Sequence, residues 1–194
     1  MGRRRTGGGW HPREAGHTVR QANPPYGPVL GPSSLARWMA GTELDARLLA
    51  DRSRLERRTS GHASAGRLVL RAGFPKDAGR DRWRRRAEAF FADHDVLVTP
   101  ALAQSPIPSI AWSERGWPAN LLASVRYAPF AAPWNVAGWP AIAVPTGVGA
   151  DGMPRAVQLV GRPGSEATLL GLAGQIERRR PWQRVAPSYS PAHQ

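Results

Sequence analysis

The chain has 194 residues, of which 41% are hydrophobic, so it can form one domain with a core of its own but leaves little room for a second. It contains no cysteine, which excludes disulfides, thiol nucleophiles and thiolate metal sites, and no apolar run approaches the roughly 18 to 20 residues of a membrane span. The formal net charge is +13, so a nucleic-acid partner has to be considered.

The basic residues are scattered along the sequence. All but one of the 27 are arginine, and they concentrate in four stretches: 3–5, 52–58, 80–86 and 178–180. This distribution is typical of solvated helix faces, so we expect no nucleic-acid partner and keep an arginine-rich nucleic-acid binder as an alternative. The basic start, MGRRR, is not followed by the apolar stretch of a signal peptide, which together with the missing cysteines predicts a cytoplasmic protein.

Helices dominate the first half. Residues 1–32 are rich in Gly, Pro and Arg, and NPPYGP (23–28) cannot be helical, which predicts a disordered or irregular arm. Helices are predicted over 33–49, 53–70 and 77–93, although Gly41, Gly61 and Gly66 interrupt the first two. The residues expected on the inner face of the first helix are Leu35, Trp38, Met39, Leu44, Leu48 and Leu49. Those expected inside the third are Trp83, Ala87, Phe90 and Phe91.

Strands appear in the second half. HDVLVTP (94–100) predicts a short strand covered on both faces, and a proline-rich loop (104–118) and a short helix (119–127) follow. Two further strands are predicted over 141–148 and 155–161, joined by an Asp151-Gly152 turn. A last amphipathic helix is capped by Ser165 and ends at Arg180. This order of helices and strands predicts an α/β fold.

The motifs give no complete catalytic set. No two of the five histidines stand three or four residues apart, so no metal site is predicted. GVGADG (147–152) has the spacing of a dinucleotide-binding loop, but a strand follows it, which predicts a hairpin turn and no cofactor. A GxSxG elbow is absent, and Ser33 and Ser34 precede a helix, where they are expected to cap it.

The uncharged segment PWNVAGWPAIAVP (133–145) opens a series of spaced motifs. Asn135 is expected to bond to backbone there, and Pro140 to end a turn before the strand. The full series is Pro133, Asn135, Gly138, Pro140, Ala141, Asp151, Gly152, Gln158–Gly161, Pro163 and Glu166–Leu170. In this order the motifs closely resemble the C-terminal end of the amidase signature family, and the resemblance extends over residues 35 to 185.

The resemblance implies a fold and a pocket. The fold would be the C-terminal part of an α/β/α architecture with a mixed sheet, incomplete in this chain. Its expected extent is 33–186, with the arm (1–32) before it and a flexible tail (187–194) after it. The pocket wall would include Pro100, Trp134 and Asn135.

The resemblance also implies a mechanism whose residues are missing from this sequence. The family hydrolyses amides with a Ser–cis-Ser–Lys triad, carried in part on a GGSSGGS-type loop. No such loop occurs in this sequence, and the one lysine, Lys76, follows the place where the loop would fall. We therefore expect no catalytic residue in this chain and a sheet whose edges are left exposed.

Three hypotheses follow. The first is a truncated amidase-family hydrolase, inactive alone, that acts on a small amide only when a missing N-terminal half completes it. The second is a stand-alone interaction module that pairs with a separate N-terminal half at the exposed sheet edge. The third is the nucleic-acid binder; no membrane partner is expected. The glycine- and arginine-rich opening is also compatible with a mis-assigned start and a true reading frame from about residue 33.

Overall fold

Residues 12–27 and 30–182 are described by a computed structural model, and the Arg3–Arg5 stretch and the expected tail (187–194) lie outside them. Within the described residues, six α-helices and three strands follow one another. They are α1 (Leu30–Arg47), α2 (Arg57–Arg71), α3 (Asp77–Phe90), β1 (Leu97–Pro100), α4 (Trp117–Tyr127), α5 (Ala132–Ala137), β2 (Ala141–Val148), β3 (Pro154–Val160) and α6 (Glu166–Arg179). The predicted α/β class is confirmed.

The strands form one sheet in the order β1-β3-β2. The central strand β3 pairs antiparallel with β1, from Leu97↔Val160 to Pro100↔Val157, and antiparallel with β2, from Ala141↔Val160 to Val148↔Pro154. A mixed sheet is expected for the family's whole fold, and the three strands of this chain are antiparallel to one another. The outer edges of β1 and β2 have no strand partner within the described part of the chain.

Each face of the sheet carries its own apolar core. On one face, Leu97 and Val160 pack with Trp83, Ala87 and Phe91 from the end of α3 and with Trp134 and Ala137 of α5. On the other, Val144 and Leu159 pack with Leu169 and Ile176 of α6. Because neighbouring residues of a strand point to opposite faces, the sheet lies between α3/α5 and α6, which is an α/β/α layering. The predicted inner residues of α3 are confirmed, with Phe90 partly buried.

The first helix buries a different face from the predicted one. Its buried residues are Leu30, Met39, Ala40, Glu43 and Ala46, whereas Trp38, Leu44, Leu48 and Leu49 are exposed. The prediction that these four apolar side chains face inward is wrong: Leu48 and Leu49 lie beyond the end of α1, and α1 packs on α2 mainly through small residues. On α2 the contact is made at Ala63 and Gly66, and a Cβ added to Gly66 would lie 1.9 Å from the Met39 carbonyl oxygen.

The strand β1 is covered on one face only. Leu97 is buried, but Val98 exposes 41% of its surface, so the prediction of a strand covered on both faces is wrong for this residue. The reason is that β1 lies at the edge of the sheet. None of the described helices is both long and apolar enough to cross a lipid bilayer.

Glu43 is a charged side chain buried beneath α1. Arg52 donates from Nη2 to Oε2 at 2.6 Å and Arg47 from Nε to Oε1 at 3.0 Å, while Arg67 Nε lies 3.5 Å from Oε1. The hydrogen bonds from Arg52 and Arg47 lower the pKa of Glu43 to about 2. One carboxylate thus joins α1, the segment after it and α2.

Glu43→Gln is expected to lower the stability of the fold at neutral pH. The pKa of Glu43 is depressed from its ordinary 4.5, so the ionised carboxylate contributes fully above about pH 5 and its contribution is lost as pH falls towards 2. The urea midpoint of Glu43→Gln should therefore fall well below that of the wild type at pH 7, and the difference should shrink at pH 3. Asp45→Asn, an exposed change on the same helix, is the control. Equal midpoints for wild type and Glu43→Gln at pH 7 would contradict this account.

Candidate functional site

The uncharged segment contains a short helix that the sequence analysis missed. In α5, Pro133 occupies the first turn, where its missing N–H leaves no intrahelical bond unmade. The helix ends at Gly138, whose φ of 70° is left-handed and suits glycine. A proline followed five residues later by glycine is an ordinary start-and-stop signal for a helix, and it could have revealed α5.

The helix α5 is fixed to α3 at both of its ends. Trp83 donates from Nε1 to the Pro133 carbonyl at 2.7 Å, and Arg84 donates from Nε to the Ala137 carbonyl at 2.7 Å. Between these bonds, Trp134 is fully buried, with its ring centroid 5.2 Å from that of Trp83. The hydrogen bonds from Trp83 and Arg84 and the packing of Trp134 therefore hold the main chain around Asn135 in place. Their role is structural.

A buried glutamine joins the central strand to the loop before α5. Gln158 is buried in β3 and donates from Nε2 to the Phe130 carbonyl at 3.1 Å. Opposite it on β1, Thr99 has a buried hydroxyl without a hydrogen-bond partner among the described residues. Buried polar atoms are usually bonded, so this unpaired hydroxyl marks a polar place on the α3/α5 side of the sheet.

The three predicted pocket residues lie in different surroundings. Pro100 is exposed at the end of β1, and Asn135 is exposed on α5. Trp134 has no accessible surface, so it can act on a ligand only by supporting Asn135. None of the three lines the cleft beside β1 or the smaller cavity beside α4. Their role as a pocket wall stays a prediction.

The cleft has a volume of about 1040 Å³ and is lined in part by Leu97 and Val98 of β1. Its walls are residues 16–22, residues 93–98 and one side of α6. His17 contacts Gln175 of α6 through Nε2 and Oε1 at 2.8 Å, and His94 donates from Nδ1 to the Phe90 carbonyl at 2.8 Å. Sequence analysis missed this cleft, because residues 16–22 lie in the expected irregular arm and carry no periodic pattern.

The outer edge of β1 carries backbone hydrogen-bonding groups that do not bond to β3. Ala101 donates its N–H to the Ala156 carbonyl on the β3 side. In an antiparallel pair the bonding direction alternates along the strand, so Leu97 and Thr99 also bond towards β3. The N–H and C=O groups of Val98 therefore point away from β3, at the outer edge of β1. Among the described residues, no three His, Asp or Glu side chains come close enough to hold a metal ion.

Comparison with known proteins gives the family. The family model described as Amidase matches residues 13–170, beginning inside the expected arm. The protein named Putative amidase AmiB2 from Mycobacterium tuberculosis strain H37Rv is 40% identical over 179 residues, covering 92% of this chain and 39% of the relative. Putative amidase AmiC from Mycobacterium leprae is 36% identical over 188 residues, covering 89% and 38%. The chain thus spans about two fifths of the length of these curated relatives.

Solved structures show the same fold. The 6-aminohexanoate cyclic dimer hydrolase aligns with a TM-score of 0.67 and 22% identity, covering 88% of this chain and 39% of the hydrolase. Allophanate hydrolase from Kluyveromyces lactis aligns with a TM-score of 0.54 and 22% identity, covering 76% of this chain and 25% of that enzyme. The sequence match over most of the chain and the shared fold agree with the α/β/α layering described above. This chain belongs to the amidase family.

Proposed function

We propose that this chain is the C-terminal portion of an amide hydrolase whose catalytic serines and lysine come from another segment. The observation that carries the proposal is that the family match covers residues 13–170 while the chain spans only 39% of its AmiB2 relative. The sequence holds no GGSSGGS-type loop. Its one lysine, Lys76, is exposed at the N-cap of α3, 5.6 Å above the Phe74 ring.

The resemblance implies the chemistry of the completed enzyme. A lysine would take a proton from a relay serine, the relay serine would activate a nucleophilic serine, and the acyl-enzyme so formed would be hydrolysed by water. In this proposal the present chain forms part of the wall of the substrate pocket. The packing of Trp134 fixes α5, and the exposed amide of Asn135 faces the substrate.

A complementation assay tests the proposal. The purified chain is expected to release no 4-nitroaniline from an N-acyl 4-nitroanilide, because it carries no activated nucleophile. Co-production with the remaining N-terminal part of the AmiB2 relative is expected to give turnover. Turnover by the lone chain, retained through a second purification on a different matrix, would overturn its predicted inactivity. A soluble complex without turnover would overturn the catalytic proposal and leave only a pairing between the two parts.

A second candidate function, pairing with a separate N-terminal half, is favoured by the edge of β1. By the alternation of bonding along β1, the backbone N–H and C=O groups of Val98 face away from β3, and its apolar side chain is exposed. An unpaired edge of this kind accepts a further strand through main-chain hydrogen bonds. We propose that the partner segment extends the sheet at this edge.

Val98→Pro is expected to abolish this pairing while the chain stays folded. Proline removes the N–H that faces away from β3 but none of the hydrogen bonds between β1 and β3, and edge strands tolerate it. Binding of the N-terminal part of the AmiB2 relative, followed by analytical ultracentrifugation, should weaken at least about tenfold, whereas Val98→Thr, which keeps the N–H, should bind like the wild type. Equal binding by the two variants would contradict pairing at this edge.

A further inference from the structure

An irregular segment before α1 is anchored to the rest of the molecule at both of its ends. At one end, His17 contacts Gln175 of α6, with 2.8 Å between Nε2 and Oε1. At the other end, the ring of Tyr26 stacks on that of Trp83 in α3, with the two ring centroids 5.4 Å apart. The residues between these two anchors form neither helix nor strand. We call residues 17–26 the strap.

The strap passes from one face of the sheet to the other. Gln175 belongs to α6, which covers one face, whereas Trp83 belongs to the core on the opposite face. Residues 16–22 also line the same cleft as Leu97 and Val98. A segment that is anchored on both sides of a sheet has to go around its margin, and the shared cleft places this crossing beside β1.

The strap runs beside β1 without pairing with it. Between described residues, no backbone hydrogen bond joins the strap to β1, and the N–H of Tyr26 donates within the strap, to the Pro24 carbonyl at 2.7 Å. Pro24 and Pro25 have no N–H, so this part of the strap cannot add a regular strand to the sheet. The strap is therefore held by its two side-chain anchors and can be released from β1 without breaking the sheet.

A loop of this kind is a known form of protection for the edge of a sheet. Natural proteins cover their edge strands with loops or with prolines, since an open edge pairs with strands of other molecules. The strand β1 needs such a cover, because the backbone groups of Val98 face outward and its apolar side chain is exposed. We propose that the strap protects the outer edge of β1, and that release of either anchor opens this edge to β1 of a second copy of the chain.

This protection is a property of the chain alone and goes beyond the proposed hydrolase. Self-association can be measured without an N-terminal half and without turnover. Failure of the complementation assay would therefore leave this proposal intact. Equally, a strap that does not protect β1 would leave the hydrolase proposal and the pairing with an N-terminal half intact.

Tyr26→Ala releases the aromatic anchor. Sedimentation velocity at rising protein concentration is expected to give a self-association constant at least about tenfold above that of the wild type, the effect of losing one stacked aromatic contact together with its buried area. Tyr26→Phe keeps the ring and should associate no more than the wild type. Circular dichroism shows whether each variant is folded. A folded Tyr26→Ala chain that associates no more than the wild type would overturn the proposal.

A second substitution tests whether the association uses β1. Tyr26→Ala also uncovers part of the Trp83 ring, and this new apolar surface could associate by itself. Adding Val98→Pro to Tyr26→Ala removes the outward N–H of β1 and should return the association constant to that of the wild type. Association of the double variant as strong as that of Tyr26→Ala would show that the Trp83 surface is responsible, and the proposal would be wrong.

His17→Ala releases the other anchor and provides the test if Tyr26→Ala does not fold. The bond to Gln175 lies outside the Trp83 core, and its loss is expected to raise the association constant about fivefold, the usual net effect of one hydrogen bond. Val98→Pro should again reverse the increase. His94→Ala is the control, because His94 lines the same cleft but bonds to the Phe90 carbonyl, and it should leave association unchanged. Equal association by His17→Ala and the wild type would contradict the proposal.

Discussion

Replacing Gly66 by alanine is expected to destabilise the fold by about 3 kcal/mol, at the upper end of the usual cost of an overpacked core position. The added Cβ would lie 1.9 Å from the Met39 carbonyl oxygen and 2.6 Å from the Met39 carbonyl carbon, both of them backbone atoms of α1. A side chain could rotate away, but a helix backbone cannot, so α1 and α2 must separate. Their separation also pulls Arg67 away from Glu43, since Gly66 and Arg67 are neighbours on α2.

Gly41→Ala is the matched control for this prediction. Gly41 lies inside α1, and a Cβ added there meets nothing within 4 Å. Alanine should stabilise the helix at this position by about 0.5 to 1 kcal/mol, because glycine loses more backbone freedom on folding. Urea unfolding followed by far-UV circular dichroism should move the two midpoints in opposite directions. A Gly66→Ala midpoint equal to or above that of the wild type would refute the close helix contact.

Trp134→Ala is expected to cost about 4 kcal/mol, the usual range for removing a large buried aromatic side chain. The indole has no accessible surface and is surrounded by the rings of Trp83, Phe91 and Trp139, with centroids 5.2, 5.8 and 5.9 Å away. Its removal leaves a cavity between α5, α3 and the sheet. Against the typical total stability of about 5 to 15 kcal/mol, this loss is large enough to unfold part of the population at 37 °C.

Two further variants are the controls for the loss of stability in Trp134→Ala. Trp134→Phe keeps an aromatic ring and should lose less than half as much as Trp134→Ala. Trp38→Ala removes an indole that is 49% exposed, and it should shift the urea midpoint only slightly. If Trp134→Ala and Trp38→Ala unfold at the same urea concentration, Trp134 is not the centre of the core.

The helices and strands predicted best are those in which the spacing of apolar residues along the sequence matches the face that is buried in the structure. The strand β2 has the predicted bounds, and β3 and α6 lie within one residue of theirs, because turn residues flank periodic apolar patterns. The predicted capping bond of Ser165 is wrong: its hydroxyl donates to the Arg162 carbonyl instead. The motifs near Trp134 also led to the family, because a spaced series of Pro, Asn and Gly is more specific than composition.

The remaining features depend on contacts that no local pattern contains. Glu43 is buried where arginines at 47, 52 and 67 converge on it. The spacing of Arg47, four residues after Glu43, can be read from the sequence, but the approach of Arg52 and Arg67 cannot. Likewise, the apolar spacing of α1 predicted a helix but could not tell which side faces α2. The cavity beside α4 is lined by residues of α2 and α4 that lie far apart in the sequence, so no local pattern indicates it. The short helix α5 is the exception. Pro133 and Gly138 indicate its start and its end, but the same prolines also favour a turn.

The position of β3 at the centre of the sheet affects how the chain is made. β1 emerges from the ribosome before its only strand partner among the described residues, because Val160, the partner of Leu97, is synthesised roughly 60 residues later. At typical elongation rates this delay lasts several seconds, during which both edges of β1 are open. The nascent chain is therefore most prone to aggregation while residues 97–160 are being translated, and a chaperone that protects the β1 segment in that interval should raise the yield of folded protein.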